Sequence, residues 1–170
     1  MNRDFMASMI DGYAENDLDE GTVQYLDNYW IDRDRFSQDW SHLIQSTFRR
    51  SSGKVSVVEG CAVDFLQGGI LFAKDEFLAF LDQARATGAT RFAVIEDIGL
   101  PDWGNPQEFN FFRFSYPTNV DWDEMAHSSI LAQDIFERPI RCYFVVTDNG
   151  KIGKYANNDA DSPYDLIFHK

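Results

Sequence analysis

The sequence predicts an α+β fold: N-terminal helices followed by a mostly antiparallel sheet with one or two packed helices. Three observations carry that expectation. Apolar residues recur at three-and-four spacing through residues 1–50, they alternate at period two from residue 54 onward, and helix-period segments interrupt the alternating ones. All 170 residues are expected to form a single domain, 1–170, with a helical front over 1–50 and a sheet-containing body over 54–170. A chain of this size buries roughly 70% of the surface it exposes when unfolded, so it needs no disulfide or metal to be stable.

Taken in order, Phe5, Met6, Met9, Ile10 and Tyr13 share one face of a first helix, and Val23, Leu26 and Trp30 repeat the pattern after an acidic stretch from Glu15 to Glu20. Asp32 is placed to cap a third helix whose stripe is Phe36, Trp40, Leu43, Ile44, Thr47 and Phe48, with Arg49-Arg50 as cations at its C-terminus. Ser51-Ser52-Gly53 breaks the pattern. Val55 and Val57, then Cys61, Val63 and Phe65, alternate as strands do. Gly68-Gly69 signals a turn, and Ile70-Leu71-Phe72 is compatible with a short strand or with the lead into the next helix. That helix runs from Lys74 to Thr87, with Asp75 and Glu76 in its first turn and Gly88 just past its end. Arg91 to Ile98 reads as a strand. Leu100 to Pro106 is a loop by its two prolines and its glycine. Phe109 to Tyr116 is an aromatic strand stopped by Pro117, and Asp121 to Glu137 reads as a helix. Ile140 to Thr147 and Lys151 to Tyr155 form a hairpin about Asn149-Gly150. Tyr164 to Phe168 is expected as a terminal strand.

Charge narrows the function. The chain carries 28 acidic and 15 basic residues, a formal net charge of −13. The excess is distributed: residues 1–50 hold 10 acids and 5 bases, 51–100 hold 7 and 4, and 101–170 hold 11 and 6. Nucleic-acid binders neutralise phosphates with Lys and Arg, so this balance argues against a nucleic-acid partner. It equally disfavours an anionic membrane surface. No stretch of about 18 apolar residues is present, and the N-terminus has no apolar run of signal-peptide length. The expected location is therefore the cytoplasm, with Cys61 and Cys142 as two buried thiols rather than a disulfide.

Motifs for local chemistry are absent: there is no Gly-x-Ser-x-Gly elbow, no Walker-type phosphate loop and no dinucleotide fingerprint. Cys61 with His42, His127 or His169 is a nucleophile pattern of little specificity, because the same residues suit a small buried hydrophobe and scattered surface histidines. Asp121, Asp123, Glu124 and His127 lie close enough to hold a divalent ion, but Asp121 to Glu124 also reads as an acidic helix start. No cofactor and no catalytic residue is therefore expected. The alternative is a small hydrolase or transferase without a local motif, possible metal dependence residing in those four residues.

Acids beside aromatics are the more distinctive feature. Asp17, Asp19 and Glu20 follow Tyr13, Asp102 adjoins Trp103 on a loop, and Asp121, Asp123 and Glu124 surround Trp122. A third acidic group, Asp159, Asp161 and Asp165, lies beside Tyr164. An acidic surface can serve solubility alone. Aromatic anchors ringed by acids are also what a binder of a basic protein presents, the rings supplying contact area and the field steering encounter. Asp17, Asp19, Glu20, Asp102, Trp103, Asp121, Trp122, Asp123 and Glu124 are thus the candidate partner-binding residues.

In profile, the chain resembles the cytoplasmic immunity proteins of bacterial polymorphic-toxin and contact-dependent growth inhibition systems. The resemblance lies in the acidic front with Asp17-Leu-Asp-Glu-Gly21, the aromatic strand Phe109-Asn-Phe-Phe-Arg-Phe, and the closing Thr147-Asp-Asn-Gly-Lys151 hairpin with Asp161-Ser-Pro-Tyr-Asp165. It implies binding to one cognate toxin domain, of nuclease type on grounds of charge, with no activity of its own. No binding residue is carried over by position.

Overall fold

A computed structural model of the chain describes residues 20–51, 54–67, 72–97, 113–125 and 142–157. The helix expected over 5–13, the loop 100–106, residues 109–112 of the aromatic strand, residues 126–137 of the following helix and the terminal strand 164–168 lie outside the described residues.

A five-stranded sheet in the order β3-β7-β6-β4-β5 organises the fold. Its members are β3 (Ala62–Gln67), β4 (Arg91–Asp97), β5 (Arg113–Pro117), β6 (Cys142–Thr147) and β7 (Ile152–Asn157). β3 pairs with β7 in parallel, and the other three pairings are antiparallel. The expected α+β class and mostly antiparallel sheet are what is found. A separate hairpin joins β1 (Phe48–Ser51) to β2 (Lys54–Val57).

Alternation along the strands gives the sheet two apolar faces, each covered by helix. Phe92, Val94, Phe114, Tyr116, Tyr143 and Val145 point to the first face. There they meet α1 (Glu20–Tyr29), α4 (Lys74–Ala86) and the short α5 (Trp122–Met125) through Tyr25, Leu26, Tyr29, Phe77, Phe80, Leu81 and Met125. Ala93, Ile95, Phe144, Val146 and Tyr155 point to the second face. That face is covered by a helical run made of α2 (Arg33–Arg35), a π-helical segment (Phe36–Trp40) and α3 (Ser41–Thr47). The N-terminal helices are thus divided between the two faces. The chain crosses from one to the other at Trp30-Ile31, where Trp30 forms an isolated bridge with Phe114 and Ile31 N donates to Arg113 O at 2.8 Å.

Local sequence explains most element boundaries. Asp32 caps as expected, its Oδ1 accepting from Arg35 N at 2.8 Å. The Ser41 amide then reaches back to Phe36 O, one residue further than in an α-helix. This π turn belongs to a run in which Phe36, Trp40, Ile44 and Thr47 are all buried. Glu76 accepts from the Ala73 amide at 3.4 Å at the start of α4, and Gly88 ends it at φ +85°.

Two expectations change at these boundaries. Phe48 and Arg49-Arg50 do not close a helix. The helix stops at Thr47, whose carbonyl accepts from Val58 N at 3.0 Å, and Phe48 turns to extended φ −122°, ψ 149°. That turn places the Phe48 ring in the core, 5.0 Å from Phe144. Burying a phenylalanine contributes about 2 kcal/mol, more than the ~0.3–1 kcal/mol of cations at an exposed helix end. The buried face of α1 is likewise Thr22, Tyr25, Leu26 and Tyr29, while Trp30 has already left the helix for the sheet edge.

The β6–β7 hairpin forms about Asn149-Gly150 as expected, with Gly150 at φ +66°. Its turn is fastened to the loop before β4. The Asp148 carboxylate accepts from Thr90 N (3.1 Å), Thr90 Oγ1 (2.6 Å) and Arg91 N (3.1 Å), and Asn149 Nδ2 donates to Thr87 O at 3.1 Å. In β7, Gly153 is required by close approach: a Cβ there would lie 2.9 Å from Phe48 Cζ and 2.9 Å from Val145 O. Cys61 is a free thiol and half-buried, not fully buried as expected, because it sits in the turn before β3 with its Sγ 3.3 Å from Gly150 O.

Candidate functional site

The acidic turn around α5 is built from its own sequence. Asp121 begins it, its Oδ1 accepting from Asp123 N at 2.8 Å and its carbonyl from Met125 N at 3.0 Å. Trp122 is half-buried and packs on Phe77 with ring centroids 5.4 Å apart, and Met125 is fully buried. With these two apolar residues turned inward, Asp121, Asp123 and Glu124 are left exposed.

Helix α1 holds this turn through tyrosine hydroxyls. Tyr29 donates to a Glu124 carboxylate oxygen, and Tyr25 donates to Met125 O at 2.8 Å while its oxygen lies 2.6 Å from that of Tyr116. Burial, the hydrogen bond to Glu124 and the negative charge of Glu124 together push the Tyr29 phenol up to about 12. Burial, reinforced by Tyr116, drives the Tyr25 phenol well above its ordinary range. Both hydroxyls consequently keep their protons at neutral pH, and Tyr29 presents a neutral donor to Glu124.

Of the predicted partner-binding residues, the structure describes Glu20, Asp121, Trp122, Asp123 and Glu124. Glu20 is exposed at the first position of α1, on the same face of the sheet as the α5 turn. Asp17, Asp19, Asp102 and Trp103 lie outside the described residues, as does the acidic group at Asp159, Asp161 and Asp165. Trp122 is only partly available as an anchor, since one side of its ring rests on the core.

Other chemistry finds less support. Among the described residues no group of three or more His, Cys, Asp or Glu side chains is arranged to hold a metal ion; His127 lies outside them. Burial raises the Cys61 thiol above its ordinary value, whereas a nucleophile needs the opposite shift.

Sequence reasoning missed a cleft of about 450 Å³ at the β5 edge, between the Trp30-Ile31 crossing, the helical run on the second face and the Asp148 turn. Arg35, Arg91, Trp30, Trp40, Ser115 and Asp148 are among its lining residues. They come from four separated stretches of chain, so no spacing in the sequence could have joined them. The one local hint is Arg91, a charged residue directly before the apolar run Phe92 to Ile95.

No protein-family model, curated protein or solved structure matches the chain.

Proposed function

We propose that this protein binds and neutralises a basic protein partner, and that it is the cytoplasmic immunity protein of a bacterial nuclease-type toxin, as in contact-dependent growth inhibition. The observation that carries this reading is the α5 turn. Asp121, Asp123 and Glu124 stand exposed on a segment fixed from beneath by Met125 and Trp122 and from the side by Tyr29. A fixed acidic surface loses little freedom on binding, and the overall charge of −13 adds long-range attraction for a cationic partner. A nuclease must carry a positive cleft to hold phosphates, and an acidic plug is its electrostatic complement. No nucleic acid or membrane takes part in this reading, and no helix among the described residues is long and apolar enough to cross a bilayer.

The test begins with capture of the basic protein that binds the tagged chain at low salt and ends with that protein's own activity. Addition of one equivalent of this chain should abolish nuclease activity of the purified partner, with relief as salt is raised. A captured partner whose activity is untouched by stoichiometric chain would remove the neutralisation reading.

A further inference from the structure

We infer that the cleft at the β5 edge is a binding site for a small carboxylate carried on a planar apolar body. Arg91 is half-buried at the cleft wall. Its Nε donates to Ser115 Oγ at 3.0 Å and its Nη2 to Ser115 O at 2.9 Å. These two bonds engage one edge of the guanidinium and fix its plane. Its other edge, formed by Nη1 and the outer hydrogen of Nη2, donates to no described residue, and that edge has the fork geometry that takes a carboxylate bidentately.

Two cations, Arg35 and Arg91, and two carboxylates, Asp39 and Asp148, line the cleft, so its lining carries no net charge within an acidic chain. Of the two lining carboxylates, Asp148 is already engaged by Thr90 N, Thr90 Oγ1 and Arg91 N, and Asp39 is exposed. One pre-set fork in an acidic protein suits a monoanion better than a phosphate dianion. The half-buried Trp30 and the nearly buried Trp40 are among the lining aromatics, with the Arg113 guanidinium 5.2 Å from the Trp30 ring centroid, and the volume of about 450 Å³ lies within the range of small-molecule sites. The inference does not depend on the partner reading of the α5 turn.

Indole-3-acetate and its neutral isostere indole-3-acetamide are the probes, titrated into the full chain at pH 7 and low salt. The readout is the backbone amide resonances of Ile31, Arg91 and Ser115. Indole-3-acetate should shift all three saturably, and the amide should bind at least about tenfold more weakly, the loss of one charge-assisted contact. Arg91→Gln should lose binding by a similar factor, Arg91→Lys should recover only part of it, and Lys151→Gln should match the parent. If Arg91→Gln does not fold, Arg35→Gln, at an exposed position, should still weaken the acetate severalfold and leave the amide unchanged. Equal binding of the two probes, or no saturation by about 10 mM, overturns the inference. So does acetate affinity unaltered in folded Arg91→Gln, or in Arg35→Gln should Arg91→Gln not fold.

Discussion

The Tyr29 hydroxyl donates to the Glu124 carboxylate across 95 positions of sequence, tying the end of α1 to the acidic turn of α5. Because the donor is buried and the acceptor charged, the bond both fixes an exposed acid and raises the phenol to about 12.

Tyr29→Phe should therefore lower stability at pH 7 by about 1–2 kcal/mol, the contribution of one hydrogen bond to a charged group. The folded-state value lies above the ordinary 10.0, so the native state favours the protonated phenol. Its stabilisation is complete below about pH 10 and is lost as pH rises through 12. Chemical denaturation between pH 8 and 12 should show the parent losing this margin and Tyr29→Phe lacking it at every pH.

Tyr25 and Tyr116 should differ although their oxygens touch. Tyr25→Phe removes the donor to Met125 O and leaves the Tyr116 hydroxyl without its partner, so it should cost about 2–3 kcal/mol. Tyr116→Phe leaves Tyr25 free to keep its bond to Met125 O and should cost about 1 kcal/mol. Equal losses in urea denaturation would show that the direction of donation is wrong.

Two glycines give a contrast of mechanism. Gly153→Ala drives a Cβ against Phe48 and the Val145 carbonyl and should destabilise by about 2–3 kcal/mol or more through overpacking. Gly88→Ala meets nothing within 4 Å, but holds a side chain at φ +85°, and should cost about 1 kcal/mol of backbone strain. Thermal melts of the two variants, with Phe48→Leu added to Gly153→Ala, separate the causes. The second change should relieve part of the first only if the clash is with Phe48.

Asp148→Ala should release the Thr90 and Arg91 amides together. Loss of an acceptor serving three donors is expected to cost about 2–3 kcal/mol, and hydrogen exchange at Thr90 and Arg91 should accelerate beyond the change in global stability.

These interactions show what a linear pattern can and cannot carry. The Asn149-Gly150 hairpin, the α4 helix with its stop at Gly88 and the strand from Arg91 were legible because their signals are local: a turn dipeptide, a 3.6-residue period and an apolar run. The end of the third helix was not, since Phe48 obeys the packing it makes on Phe144 and Tyr155 of the sheet rather than the period of its own segment. The acids at Asp121, Asp123 and Glu124 could be read from the sequence, yet Tyr29 could not, because its role depends on α1 packing beside α5. The cleft was invisible for the same reason: Trp30, Arg91 and Ser115 meet only where the chain crosses the sheet edge.

On the proposed reading a fixed acidic turn, and not net charge alone, recognises the basic partner. The most direct test compares capture by two charge-matched variants, Asp121→Lys/Asp123→Lys/Glu124→Lys and Asp34→Lys/Glu59→Lys/Asp75→Lys, the latter at exposed positions remote in sequence from the turn. Stopped-flow association with the captured basic protein should slow by about tenfold or more for the α5 variant and change little for the other, with dissociation less affected in both. Equal slowing by the two variants would contradict a localised site and reduce the acidic surface to a general field.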